Sequence, residues 1–183
     1  MSDEQKGFAT KSVHSGTQHI GDAVNTPIFQ SSTYKLTDER YAGWAAGAQH
    51  TLLYARLSSV NSDAVAQKLM ALEGGEDAET FASGMAAIST TLMSFLNQGD
   101  HVVASADVYG GTYGLLTEEF PRFGIEVTMA DMRDPSSYEA AIQDNTKILY
   151  IETLTNPMLK LCDIPAMVEV AQRHGLITVI DNT

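Results

Sequence analysis

Five places in the chain carry side chains whose type and position suit chemistry. The first is Ser83-Gly84-Met85. A predicted strand ends there, a turn of small residues follows, and a predicted helix begins. Unpaired backbone N–H groups at such a helix start form an anion site, and Gly84 allows a ligand to approach closely. The same pattern also describes an ordinary tight strand-to-helix turn. The second is Asp181, at the end of the apolar run ITVI (177–180). A carboxylate at the carboxyl end of what reads as a central strand is poorly solvated and needs a cationic partner. It serves either as a cap for the segment that follows or as the partner of a protonated ring nitrogen. The third is Tyr109 in DVYGGTY (107–113), just after the predicted strand HVVAS (101–105). Its ring can stack on a planar ligand and present a hydroxyl to it, or simply pack in the loop. The fourth is Asn156 in ETLTNP (152–157), an amide before proline that also suits a turn. The fifth is Tyr54-Ala55-Arg56, where a hydroxyl and a planar guanidinium fork can bind phosphate or stand solvated at the surface.

Several other chemistries are excluded. No G-x-G-x-x-G follows a strand and no G-K-[ST] occurs, so neither nucleotide-phosphate fingerprint is present. The five histidines (His14, His19, His50, His101, His174) lack metal spacing, and a single cysteine completes no zinc set. The eight methionines read as core filler.

The elements that must position these residues alternate. A helix begins after Asn61 or Ser62 as cap, buries Val65, Leu69 and Leu72, and stops at Gly74-Gly75. A short strand is predicted over 78–83, and a helix over 84–96 with Ile88, Leu92, Phe95 and Leu96 on one face. Then come a strand at 101–105, a helix at 110–120 ended by Pro121, and a strand at 125–130. A helix follows, capped by Asp134 with Pro135 in its first turn and running to about residue 143, then a strand at 147–152. Asp163 and Pro165 open a helix to His174, and a strand at 176–181 completes the pattern. Short β-branched strands alternating with helices imply a parallel α/β open sheet. Ligands bind such sheets beyond the carboxyl ends of the strands, where four of the five candidate stretches fall. Residues 1–50 read as an N-terminal arm with little core of its own, and 51–183 as the regular domain. Within the arm, Val24–Tyr34 carries apolar groups that are costly to leave in water.

Composition sets the outer bounds. The 183 residues are 44% hydrophobic and 19% charged, which fits a globular domain and not a disordered chain. Against 23 Asp+Glu there are 11 Lys+Arg, a net charge of −12, so a nucleic-acid partner is not expected. No apolar run approaches the ~18 residues of a membrane span. The polar start lacks an apolar signal core, and lone Cys162 suits a reducing compartment, so a cytoplasmic location is expected.

Taken in order, YAR (54–56), LEGGE (72–76), FASGMAAI (81–88), DVYGGTY (107–113), IETLTNP (151–157) and VIDNT (179–183) resemble the Cys/Met-metabolism family of pyridoxal-phosphate enzymes. That family includes cystathionine γ-synthases and γ-lyases, methionine γ-lyases and O-acylhomoserine sulfhydrylases. The resemblance runs from about Phe8 to Thr183. It implies the type I pyridoxal-phosphate transferase fold, pyridoxal 5′-phosphate as cofactor, and γ-elimination or γ-replacement on a small sulfur-containing or homoserine-derived amino acid.

It also implies roles at matching positions. Ser83, Gly84 and Met85 match the cofactor-phosphate donors. Tyr109 matches the tyrosine that stacks on the pyridine ring and acts as acid or base. The latter role requires its pKa to fall well below the free value of ~10. Asp181 matches the partner of the pyridinium nitrogen, and Asn156 the residue near the phenolic oxygen. Tyr54 and Arg56 match a pair that reaches the phosphate in a neighbouring subunit, which implies a homo-oligomer, a dimer of dimers.

The chain departs from the family pattern in three ways. LSSVN (57–61) replaces the usual G-N-P-T-like stretch after Y-x-R. Gly111 stands where methionine γ-lyases tend to carry cysteine, which favours the cystathionine or sulfhydrylase side, and ETLTNPMLKL (152–161) is closer to the cystathionine lyases than to the methionine lyases. The Schiff-base lysine and the small C-terminal domain of the family are expected beyond Thr183. The sequence therefore reads as a large-domain portion, inactive alone. The alternative is a non-catalytic fragment or paralogue that binds cofactor or assembles with a partner without turnover.

Overall fold

The computed structural model describes residues 6–48 and 51–183. His50 and the first five residues, both used in the sequence reading, lie outside the described residues. The chain divides into two compact units, residues 1–80 and 81–183.

The first unit holds helices α1 (Phe8–His14), α2 (Asp38–Ala45) and α3 (Val60–Glu73). α3 is capped by Ser59, whose Oγ accepts the Ser62 N–H, and not by Asn61 or Ser62. Asn61 has a different task. Its side chain accepts the Phe29 N–H at 2.8 Å and donates to the Pro27 carbonyl at 2.9 Å. This clamp holds the 24–34 segment, in which Val24 and Ile28 are exposed instead of buried. The helix ends at Gly74 in the left-handed conformation, as predicted. Its packed positions differ from those expected. Val60 and Ala66 are buried, whereas Val65 is 51% exposed, Leu69 is exposed and Leu72 only half-buried. The reason is close approach to the chain after α1. Gly16, at a φ of +73°, lies where a Cβ would stand 2.3 Å from the Ala64 carbonyl oxygen, and Lys68 Nζ donates to the Ser12 carbonyl at 3.0 Å.

In the second unit the strands predicted at 101–105, 125–130, 147–152 and 176–181 form β1 (His101–Ser105), β2 (Glu126–Ala130), β3 (Thr146–Glu152) and β4 (Ile177–Asp181). They make one parallel sheet of order β2-β1-β3-β4. Helices α4 (Gly84–Phe95), α5 (Gly110–Gly114), α6 (Pro135–Ala141) and α7 (Ile164–Arg173) connect or precede the strands.

Alternation along the strands splits the core in two. Val102, Ala104, Ile148 and Tyr150 pack with Leu92, Leu96, Leu116 and Phe120 on one face. Val103, Leu149 and Ile151 pack with Tyr138, Met167 and Val170 on the other. Met167, Val170 and Ala171 fall at helical spacing on α7, so that helix buries one stripe. Phe95, expected on the packed face of α4, is exposed.

Three further expectations are corrected. Residues 78–83 form no strand. Asp77 Oδ1 takes the Ala78 N–H and Glu79 Oε1 takes the Thr80 N–H, which removes donors a ladder would need. The helix from 110 does not continue to 120. It widens into a π turn over Leu115–Glu119 and tightens into a 3-10 turn over Phe120–Phe123. Pro121 begins that last turn and does not end the helix, because its missing N–H is harmless in a first turn. α6 stops at Ala141, with Ile142 extended. β4 pairs with β3 on one side, and Asp181 at its end is half-buried.

Candidate functional site

The strand order fixes where a site can be. From β1 the chain crosses to β2 on one side, and from β3 it crosses to β4 on the other. The connections diverge between β1 and β3, and that crevice is the switch point where open α/β sheets bind ligands. Tyr109 follows β1, and Glu152 ends β3. The two meet there, the Tyr109 N–H donating to Glu152 Oε1 at 2.7 Å.

Around that contact the structure brings three of the predicted groups together. Ser83 caps α4, its Oγ accepting the Ala86 N–H at 3.1 Å. Its hydroxyl is thus used by the helix, and the Gly84 and Met85 amides, at the first two helical positions, have no intrahelical acceptor. Nothing lies within 4 Å of a Cβ built on Gly84, so the approach to those amides is open. Met85 Sδ accepts from Thr112 Oγ1 at 3.8 Å. The Tyr150 hydroxyl donates to Asp181 Oδ2 at 3.4 Å. These two contacts put polar side chains at the start of α4 and at the end of β4. The ring of Tyr109, about half exposed, lies over Gly111 and beside Met85.

Asp181 makes a local turn with the residue two places on. Its Oδ1 accepts the Thr183 N–H at 3.0 Å and the Thr183 hydroxyl at 2.6 Å. Its other oxygen takes only the long bond from Tyr150. A carboxylate accepts about four hydrogen bonds, so capacity for a further donor remains on that side.

Burial pushes the Tyr150 hydroxyl above its ordinary pKa and the nearby Asp181 charge adds to this, so Tyr150 stays a neutral donor. Burial also raises Glu152. The Tyr109 amide works against the rise, and the Asp181 charge works with it.

Asn156 stands exposed in the loop after β3, next to a cis bond to Pro157. That loop is closed by Thr155, whose N–H donates to the Lys160 carbonyl. It is tied to the loop before Tyr109 by an ion pair between Lys160 and Asp107. In the first unit, the Arg56 guanidinium lies 4.9 Å from the Tyr54 ring centre, a cation–π arrangement. Among the described residues no group of His, Cys, Asp and Glu could hold a metal ion. No described helix is long and apolar enough to cross a membrane.

Sequence reasoning missed Thr112, Tyr150 and Glu152. A signal for two of them was present. Glu152 ends the apolar strand KILYIE just as Asp181 ends LITVID, and Tyr150 shares its face by the two-residue period.

The donors fit a pyridine ring bearing a phosphate: open helix-start amides for the anion, an aromatic side chain at the switch point and a carboxylate with spare acceptor capacity. Comparison with known proteins agrees. Residues 9–183 match the Cys/Met metabolism PLP-dependent enzyme family. The chain is 41% identical over 182 residues to an L-methionine gamma-lyase of Porphyromonas gingivalis, covering 98% of this chain and 46% of the relative. It is 44% identical over 161 residues to a cystathionine gamma-lyase of Bacillus subtilis, covering 88% of this chain and 40% of the relative. The solved metY protein of Campylobacter jejuni, which contains N′-pyridoxyl-lysine-5′-monophosphate, superposes with a TM-score of 0.92 at 31% identity. That superposition covers 98% of this chain and 45% of the other. The chain thus spans about half the length of the relatives it matches. With this parallel sheet and its switch-point site, it belongs to the Cys/Met-metabolism family of pyridoxal-phosphate-dependent enzymes.

Proposed function

We propose that this chain forms the cofactor-binding part of an enzyme that performs γ-elimination or γ-replacement on sulfur-containing or homoserine-derived amino acids. The observation that carries the reading is the convergence on the switch point of the open amides at the start of α4, Tyr109 tethered to Glu152, and the Asp181 carboxylate at the end of β4. When bound, pyridoxal 5′-phosphate supplies an electron sink for the carbanion formed at the substrate Cα.

This chain's residues do the rest. The Gly84 and Met85 amides hold the phosphate at the helix start, where the dipole favours an anion. Asp181 keeps a proton on the ring nitrogen by placing a negative charge beside it. Each pKa unit so gained is worth ~1.4 kcal/mol. Tyr109 stacks on the ring and exchanges a proton with the substrate from its hydroxyl. Asn156 serves the phenolic oxygen of the cofactor. Tyr54 and Arg56 reach the phosphate held by a neighbouring copy, so the active assembly is a dimer of dimers, working in the cytoplasm.

Gly111 supports the cystathionine γ-lyase or γ-synthase type. A Cβ there would lie 2.6 Å from the Tyr109 ring, so a cysteine of the kind associated with methionine γ-lyases would shift the ring from where it lies. O-acetylhomoserine sulfhydrylase and methionine γ-lyase activities are the competing types.

The first test is titration of the protein with pyridoxamine 5′-phosphate, which needs no covalent anchor. Saturable binding that Asp181→Ala weakens supports the reading, and absence of binding at millimolar ligand removes it. Product assays with cystathionine, methionine and O-acetylhomoserine then separate the types.

A further inference from the structure

We infer that Glu152 is a positioning residue of this site: its carboxylate holds the Tyr109 main chain at the switch point and joins Asp181 in a carboxylate pair that supplies the counter-charge for a cationic heterocycle. The inference deepens the proposed function and rests on it for the identity of the ring.

Three observations carry it. First, Glu152 is 5% exposed, and the N–H it accepts belongs to Tyr109, the residue whose ring must be placed. The bond runs from the end of β3 to the loop after β1, so it spans the crevice itself. Secondly, Glu152 and Asp181 are register partners on adjacent parallel strands. Paired residues of parallel strands share a face, and both belong to the face of Tyr150, whose hydroxyl contacts Asp181.

Thirdly, among the described residues no lysine, arginine or histidine makes an ion pair with Glu152 or Asp181. Burying one carboxylate with a single amide donor is costly, and a second carboxylate beside it raises the cost. The raised proton affinity of Glu152 reflects that strain. A protonated ring nitrogen placed against the pair relieves both groups at once. A planar cation would in addition stack on the half-exposed ring of Tyr109.

The test uses the 183-residue protein, with Glu152→Gln and Glu152→Ala. Glutamine keeps an oxygen for the Tyr109 N–H and removes the charge, whereas alanine removes both. Hydrogen exchange of the Tyr109 amide reads the tether. It should stay within about twofold of wild type in the Gln variant and rise by about tenfold or more in the Ala variant. Ultraviolet titration of bound pyridoxamine 5′-phosphate reads the charge. The pH at which its ring loses a proton should fall by about half a unit or more in the Gln variant, with affinity reduced severalfold.

An unchanged Tyr109 amide in the Ala variant overturns the tether. An unchanged ring titration in the Gln variant overturns the counter-charge. Exchange at the Leu149 amide in the middle of β3 shows whether a variant is folded. If the Ala variant is not, loss of Tyr109 protection in the Gln variant overturns the tether and its retention supports it. If wild type binds no pyridoxamine 5′-phosphate, the proposed function fails and takes the counter-charge with it. The amide measurement then still decides the tether.

Discussion

The ring of Tyr109 lies directly over Gly111, so close that a β-carbon on Gly111 would stand 2.6 Å from the ring's Cε1 and 3.0 Å from Met85 Sδ. Glycine at 111 is therefore what lets the aromatic ring settle onto the start of α5 beside α4. Gly111→Cys should push the ring outward. Because the ring is about half exposed and free to rotate, the stability loss should fall below the ~1–3 kcal/mol typical of core overpacking. Affinity for pyridoxamine 5′-phosphate should drop by about tenfold, or ~1.4 kcal/mol. A crystal structure of the variant, with isothermal titration, checks both. A Tyr109 ring that has not moved would contradict the argument.

Asp181 has two separable roles, and two substitutions separate them. Asp181→Asn keeps an oxygen for the Thr183 N–H and hydroxyl but loses the charge. Asp181→Ala loses both. Stability should change little in the Asn variant and by about 1 kcal/mol in the Ala variant, the usual net worth of a lost hydrogen bond. Binding of pyridoxamine 5′-phosphate near neutral pH should weaken in both. Urea unfolding and fluorescence titration measure the two effects. Equal binding by wild type and the Asn variant would leave the charge without a role.

His101 makes stability depend on pH at the opposite end of the sheet. It is fully buried, with Nδ1 against Thr146 Oγ1 at 2.7 Å and Nε2 against Thr128 Oγ1 at 2.9 Å. Burial lowers its pKa in the folded state, with the Glu126 charge opposing in part. The unfolded chain therefore binds this proton more readily than the folded one. Its contribution is intact above the unfolded pKa of ~6.5 and is lost progressively as the pH falls toward the lowered folded value. Urea unfolding at several pH values should show stability declining below ~6.5, with a shallower decline in His101→Gln. Parallel pH curves for the two proteins would show that His101 is not the group responsible.

Leu92 and Val65 occupy equivalent positions in the sequence pattern but not in the structure. Leu92 is 0% exposed in the core beneath α4, whereas Val65 lies on the open side of α3. Leu92→Ala should cost ~2–5 kcal/mol as a core truncation. Val65→Ala should stay within ~0.5 kcal/mol, as surface changes usually do. Thermal or urea melting decides this, and a large loss at Val65 would mean that its side of α3 is covered in solution.

The sequence alone determined the parts of this protein that depend on local periodicity and caps. The β-branched runs at 101–105, 147–152 and 177–181, the proline-led helices after Asp134 and Asp163, and the left-handed stop at Gly74 all follow from preferences that neighbouring residues settle among themselves. The candidate residues Gly84, Met85, Tyr109 and Asp181 stood out in the sequence because each lies where a strand or loop meets the next element.

Only the tertiary structure decided which strands neighbour one another and which side chains meet across them. Nothing local says that β4 pairs with β3, so nothing local places Glu152 beside Asp181 or the Tyr150 hydroxyl against it. Nor could spacing on α3 reveal that the chain at Gly16 claims the Ala64–Lys68 side and leaves Val65 and Leu69 exposed. Hydrophobic pattern gives a face but not its partner. The partner is set by contacts between residues far apart in the chain, and those contacts exist only once it is folded.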